Sequence, residues 1–398
     1  MTTDRPTAPT RERGVTAPKG FRAAGVAAGI KESGAPDLAL VVNDGPGQAA
    51  AGVFTTNQVK AAPVLWSQQV LKERKLTAVV LNSGGANACT GPEGFQDTHA
   101  TAEKVAEVLG VGAIEVAVCS TGLIGERLPM DRLTAGVEVA AAELAATDEA
   151  GLAAATAVMT TDTHPKQAWL AHPGGWSVGG FVKGAGMLAP NMATMLSVIT
   201  TDAVVDGDTL DQALRATTAR TYDRLDVDGG TSTNDTVLVL ASGASGVAPA
   251  PEEFAAVLTA VAGDLVRQLQ GDAEGVTKRV AITVRGAGSE ADAVAVARTV
   301  AEDNLVKTAL FGSDPNWGRV AMAVGRAPAT VDQHALGITI NGVTLFRDGH
   351  KAADRSEADL SGPEVAIVVD LNLGAGEATV LTTDLSHGYV EENSAYSS

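Results

Sequence analysis

Along this chain short apolar runs alternate with stretches whose apolar residues recur at helical spacing. Leu38–Val42, Ala78–Leu81 and Val116–Val118 read as buried strands in the first part. Thr98–Leu109 and the Ala-rich Leu133–Leu144 carry the helical period. The second half repeats the style. Strands are predicted at Leu196–Ile199, Thr236–Leu240, Val280–Val284, Gly337–Ile340, Val365–Asp370 and Glu377–Thr382. Helices are predicted at Thr209–Arg224, Pro251–Gly271 and Glu290–Asp303. Pro251-Glu252-Glu253 suits a helix start, because Pro is tolerated in the first turn and carboxylates face the positive end of the helix dipole. The stretch from Pro18 to Gly34 is rich in Gly and Ala and reads as turns and close packing. Interleaved strands and helices with no short repeat predict a mixed α/β protein of layered sheets and helices. Residues 1–14, polar and carrying both charge signs, read as a flexible tail.

Length and composition narrow the class. A chain of 398 residues suits two or three domains, with a soft boundary near 275–285. At 45% hydrophobic residues the bulk of the chain can bury a core. Only 4% are aromatic, so Ala, Val, Leu and Ile must fill that core. A net charge of −18 argues against a nucleic-acid surface, which needs a basic face to displace counterions. Neither a secretory leader nor a transmembrane run is evident, so a cytoplasmic protein without membrane contact is expected. Cys89 and Cys119 have no disulfide or zinc spacing and read as small buried thiols. Asp226, Asp228 and Asp235 lack the pattern of a calcium loop, and no metal site is expected. Gly175-Trp176-Ser177-Val178-Gly179 has the letters of a nucleophile elbow but neither the strand before it nor the helix after it, so a Ser/His/Asp triad is not expected.

One segment points to chemistry. In Lys183-Gly184-Ala185-Gly186-Met187-Leu188-Ala189-Pro190-Asn191-Met192-Ala193-Thr194, glycines permit close approach to the main chain. Pro190 and Asn191 make a corner, and Thr194 opens a strand. Read alone, Thr194 is simply a β-former.

The segment resembles the self-cleavage site of the ornithine acetyltransferase family, the bifunctional glutamate N-acetyltransferases of cyclic arginine biosynthesis. The resemblance runs along nearly the whole chain beyond residue 14. It includes Ala17–Phe21, Asn82–Gly91, Ser120–Gly125, Met159–Thr163, Asp228–Thr236, Gly312–Arg319 and the closing Glu392–Ser398. It implies the fold of the self-processing aminopeptidase and ornithine acetyltransferase type. The implied catalytic domain spans 15–278, with a smaller C-terminal α/β domain at 279–398.

By this resemblance the precursor cuts itself between Ala193 and Thr194, giving an α chain 1–193 and a β chain 194–398. The chemistry explains the need for the cut. A peptide nitrogen is not a usable base, whereas the α-amine it becomes has a pKa of about 7.7–8.0 and sits on the residue that carries the nucleophilic hydroxyl. Thr194 would take the acetyl group from N-acetylornithine, and glutamate would then collect it. Thr121 and Gly122 are implied as the oxyanion donors. The resemblance implies substrate contacts from Thr160, Lys183, Thr194, Glu274, Asn393 and Ser398. Lys183 offers a compact charge for a carboxylate, and Glu274 an acidic partner for the ornithine ammonium. No cofactor is implied, although acetyl-CoA is a possible co-substrate. The expected assembly is an α2β2 heterotetramer. The competing enzyme reading is a self-processing aminopeptidase or amidase using the same nucleophile. A non-catalytic binding protein would leave the chain intact. Asp314–Arg319 is assigned a structural role.

Overall fold

The computed structural model describes residues 8–188 and 195–395. Ala193, Thr194 and Ser398 therefore lie outside the described residues. The described chain forms three sheets with helices layered on them, a mixed α/β architecture. Four strands make the first sheet, in the order Phe21–Val26, Leu38–Asn43, Ala78–Asn82, Val116–Ser120. The last two are parallel, and helix Gly91–Leu109 lies in the crossover between them. The second sheet has the order Ala49–Phe54, Thr236–Ala241, Leu196–Thr201, Trp176–Lys183, Lys166–His172. Six strands between Arg279 and Thr383 make the third sheet, centred on Glu364–Asp370 and Arg279–Ala287.

Two apolar cores serve the first two sheets, and a third fills the space between the last sheet and helices Glu290–Ala301 and Trp317–Gly325. Small aliphatic residues dominate all three, as the low aromatic content demands. The few large side chains sealed inside include Phe21, Phe181, Tyr222 and Phe254.

Several expectations shift. Phe21–Val26 is a strand paired with Leu38–Asn43, not a turn region, because its buried Phe21, Ala23, Ala24 and Val26 complete that sheet. Thr209–Arg224 divides into helix Gly207–Thr218 and a short 3-10 turn at Tyr222–Arg224. Asp206 caps the helix by accepting from the Asp208 and Thr209 N–H groups. Cys119 is buried in the first sheet and its thiol is pushed up to about 12 by desolvation, but Cys89 is exposed, in a turn with φ of +58°. Within the expected tail, Thr10 exchanges main-chain bonds with Trp169, and Arg11 forms a forked pair with Asp264 at 3.0 Å. Arg13 lies over the Trp169 ring. Gly175–Gly179 runs into the strand Trp176–Lys183, and the buried Ser177 hydroxyl is bonded to Asp202. In the Asp314–Arg319 motif, Asn316 caps helix Trp317–Gly325, and Trp317 stacks on Phe346.

The fold brings distant segments to one place. In the second sheet Lys183 pairs with Leu196, and Leu196 with Thr236. The chain thus leaves the sheet at Lys183 and re-enters beside it at Leu196. In the first sheet Ser120 ends a strand opposite Asn82, and Thr121-Gly122 turn away from it.

Candidate active site

A cavity of about 140 Å³ opens where these sheet ends meet. Its walls include Thr121, Gly122, Thr160, Lys183, Glu274 and Asn393, drawn from five separate stretches of chain. Each of these six was a site candidate in the sequence. Thr161, Ile124, Gly186 and Met187 complete the lining.

Lys183 is the last residue of its strand and is only 2% exposed. Its ammonium donates to the Thr160 hydroxyl at 2.8 Å and to the Thr121 hydroxyl at 3.3 Å. An ammonium can only donate, so both hydroxyls accept from it and keep their own hydrogens free for another acceptor. Burial lowers the Lys183 pKa, and the Asp162 carboxylate opposes that effect.

Asp162 organises this corner. Its carboxylate accepts from the Lys166 ammonium and the Gly184 N–H, both at 2.6 Å, and from the Thr160 N–H at 3.0 Å. Desolvation would raise its pKa, but the charges of Lys183 and Lys166 and these hydrogen bonds hold it at about 2. Lys166 in turn reaches Asp272 at 2.5 Å, and Asp272 accepts from the Thr163 N–H and hydroxyl. This buried chain of alternating charge was not singled out in the sequence. Asp162 lies inside the matching segment Met159–Thr163, and Asp272 two residues before the candidate Glu274, but no spacing rule links them.

The turn at Gly122 has φ of +130°, and a Cβ there would stand 2.7 Å from the Gly85 nitrogen. Only glycine lets these two loops approach so closely. Gly186 serves Glu274 in the same way, since a Cβ at 186 would fall 2.3–2.5 Å from the Glu274 carboxylate. The Glu274 N–H is tied to the Ala185 carbonyl at 2.9 Å.

The C-terminal helix His387–Ala395 delivers Asn393, whose amide donates to Glu274 at 2.8 Å. Its docking is explicit. Asp384 accepts from the N–H groups of Thr277 and Lys278, and the Ser386 hydroxyl donates to the Gly275 carbonyl at 2.5 Å. Below the cavity, Asp228 accepts from the Met187 N–H at 2.7 Å. Asp235, fully buried with its pKa raised by desolvation, accepts from the Met195 N–H at 3.0 Å. Among the described residues no three His, Cys, Asp or Glu side chains converge as a metal would require.

A layered α/β fold that gathers a buried lysine, two threonine hydroxyls and a glutamate around one small cavity makes a polar, enzyme-like site for a small molecule. The family model for the ArgJ family matches residues 22–398, and the chain belongs to that family. The arginine biosynthesis bifunctional protein ArgJ of Mycolicibacterium paratuberculosis is 65% identical over 393 residues, covering 98% of this chain and 97% of its own. The ornithine acetyltransferase of Mycobacterium tuberculosis, solved with ornithine, is 65% identical over 47% of this chain and 98% of the solved chain, with a TM-score of 0.46. The bifunctional ArgJ of Bacillus halodurans is 36% identical over 50% of this chain and 97% of its own, with a TM-score of 0.48.

Proposed function

We propose that this chain is a bifunctional acetyltransferase of arginine biosynthesis that moves the acetyl group of N-acetylornithine to glutamate. The observation that carries this reading is the polarity of the cavity. The cavity wall carries a buried ammonium with two hydroxyls, and a carboxylate with its amide partner. An α-amino acid with a cationic side chain matches both groups. The high identity to bifunctional ArgJ proteins supports the same reading.

Thr194 is the nucleophile of this proposal, freed as an N-terminal residue by cleavage of the Ala193–Thr194 bond. Its hydroxyl attacks the acetyl carbonyl, and its α-amine takes the proton. The Thr121 hydroxyl and Gly122 N–H receive the oxyanion, with Lys183 feeding Thr121 from behind. The ornithine amine leaves with a proton, glutamate enters the same cavity, and its amine collects the acetyl group. Glu274, Asn393, Thr160 and Ser398 hold the two substrates in turn. Acetyl-CoA is a second acetyl donor, which the word bifunctional suits. The two chains stay together as an α2β2 assembly in the cytoplasm.

The test is intact-mass spectrometry of purified protein mixed with N-acetylornithine. The expected result is two fragments, with one acetyl group gained on the fragment that begins at Thr194. Acetylation of the other fragment, or of a Thr194→Ala protein, overturns the nucleophile assignment.

A further inference from the structure

The Thr121-Gly122 turn lines two cavities. Adjoining the charged one is a smaller chamber of about 40 Å³, which shares Thr121, Gly122, Ile124 and Met187 with it. Its remaining described walls are Ala86, Ser232, Thr233 and Asn234, all buried.

The two spaces differ in chemistry. The larger holds Lys183 and Glu274, whereas the described walls of the smaller carry no charge. Apart from the Thr121 hydroxyl and Gly122 N–H that it shares with the charged cavity, its polar groups are already engaged. The Asn234 amide donates to the carbonyls of Ala86 at 2.6 Å and Ser120 at 2.8 Å, and its oxygen accepts from the Thr233 hydroxyl at 2.6 Å. The Ser232 hydroxyl accepts from the Asn234 N–H at 3.1 Å, and the Ser232 carbonyl from the Thr55 hydroxyl at 2.6 Å. A chamber with no charge, whose only free donors are those at the shared turn, asks for an apolar occupant away from that turn. Its volume is close to that of a single water-sized group, about 30 Å³.

We infer that this chamber is the acyl subsite, holding the methyl group of the transferred acetyl and setting acyl length through Ala86 and Thr233. The inference rests on the acetyltransferase reading above. An acyl carbon at the Thr121-Gly122 turn carries an oxygen, an amine and an alkyl group. The amine belongs to the amino acid and faces the charged cavity. The alkyl group is left with the adjoining uncharged chamber. A methyl fits there, and each further methylene must displace a wall held rigid by the Asn234 bonds.

The experiment compares kcat/KM for N-acetylornithine and N-propionylornithine, with glutamate as acceptor, in the parent protein, Thr233→Ser and Ala86→Gly. Each variant removes one methyl from the wall, and Thr233→Ser keeps the hydroxyl bonded to Asn234. The expected parent preference for acetyl is about 10–100-fold, the range one methylene commands in a tight apolar pocket. Both variants should narrow it by about tenfold through faster propionyl transfer, with circular dichroism unchanged. Ala86→Val should slow acetyl transfer at least about tenfold while leaving product inhibition by ornithine intact. Equal use of both donors by the parent, or variants that change both donors by the same factor, overturns the subsite while leaving the transferase reading standing. A parent protein that transfers neither acyl group removes the transferase reading, and the subsite falls with it.

Discussion

Replacing Asp162 by Asn tests how the buried charge chain supports the site. Asp162 and Lys166 are sealed from solvent, at 8% and 0% exposure, and the Lys183 ammonium lies in the same interior. The Asp162 carboxyl is held at about 2 against an ordinary 3.8, which corresponds to about 2 kcal/mol in favour of the ionised form in the fold. The folded pKa lies below the unfolded one. This stabilisation is therefore present above about pH 4 and is lost as pH falls toward 2. Breaking a buried ion pair by removing one partner costs more, about 3–5 kcal/mol, because the surviving charge is stranded. Lys166 keeps Asp272, which moderates the loss. Asp162→Asn should thus lose about 2–4 kcal/mol at pH 7. The measurement is the urea midpoint at constant slope, taken at pH 7 and again near pH 3. The gap between parent and variant should shrink on acidification. A variant within about 0.5 kcal/mol of the parent at pH 7, or a gap independent of pH, refutes the reasoning.

Three further outcomes are expected. Gly122→Ala sets a Cβ against the Gly85 nitrogen and, on the proposed mechanism, displaces an oxyanion donor, so kcat should fall about 10²–10³-fold in a protein that still folds by circular dichroism. Glu274→Gln keeps an acceptor for Asn393 but removes the charge, so KM for N-acetylornithine should rise at least about tenfold with a smaller change in kcat; Gly186→Ala, which crowds the same carboxylate, should move KM in the same direction. Burial lowers Lys307 to about 8 from 10.5, so the unfolded chain binds more protons between those values and stability should climb as pH rises from 8 toward 10. Thermal melts across that range should show the climb in the parent and a flatter profile in Lys307→Met.

The sequence was most legible where one element buries one continuous apolar pattern. Pro251–Gly271 and Gly337–Ile340 have the same bounds in the structure as in the periodicity, because nothing but their own side chains sets them. Trp176–Lys183 was hidden by Gly179 and Gly180, which break the run. In the fold the main chain of residues 14 and 15 lies over that strand, with the Gly14 carbonyl against Gly179 and the Val15 carbonyl bonded to Thr200, so backbone takes the place of side chains. The site divides in the same manner. Thr121, Gly122, Thr160, Lys183, Glu274 and Asn393 were named from short matching segments, and they line one cavity. The Asp162–Lys166–Asp272 chain was not, because Asp272, at the end of helix Pro251–Gly271, is far in sequence from the other two and reaches them only through the fold.

The order of strands in the second sheet decides what a cut at the proposed site would leave behind. Leu196–Thr201 and Thr236–Ala241 lie between Ala49–Phe54 on one side and Trp176–Lys183 on the other. A break at the Ala193–Thr194 bond would leave the two inner strands on one fragment and their flanking neighbours on the other. No ladder hydrogen bond is severed, yet neither fragment retains the whole of this second sheet. The halves would then be partners for life. Mixing isotope-labelled and unlabelled processed protein should yield no hybrid pairs until the sheet itself is melted, and the two halves made separately should each present bare strand edges and aggregate.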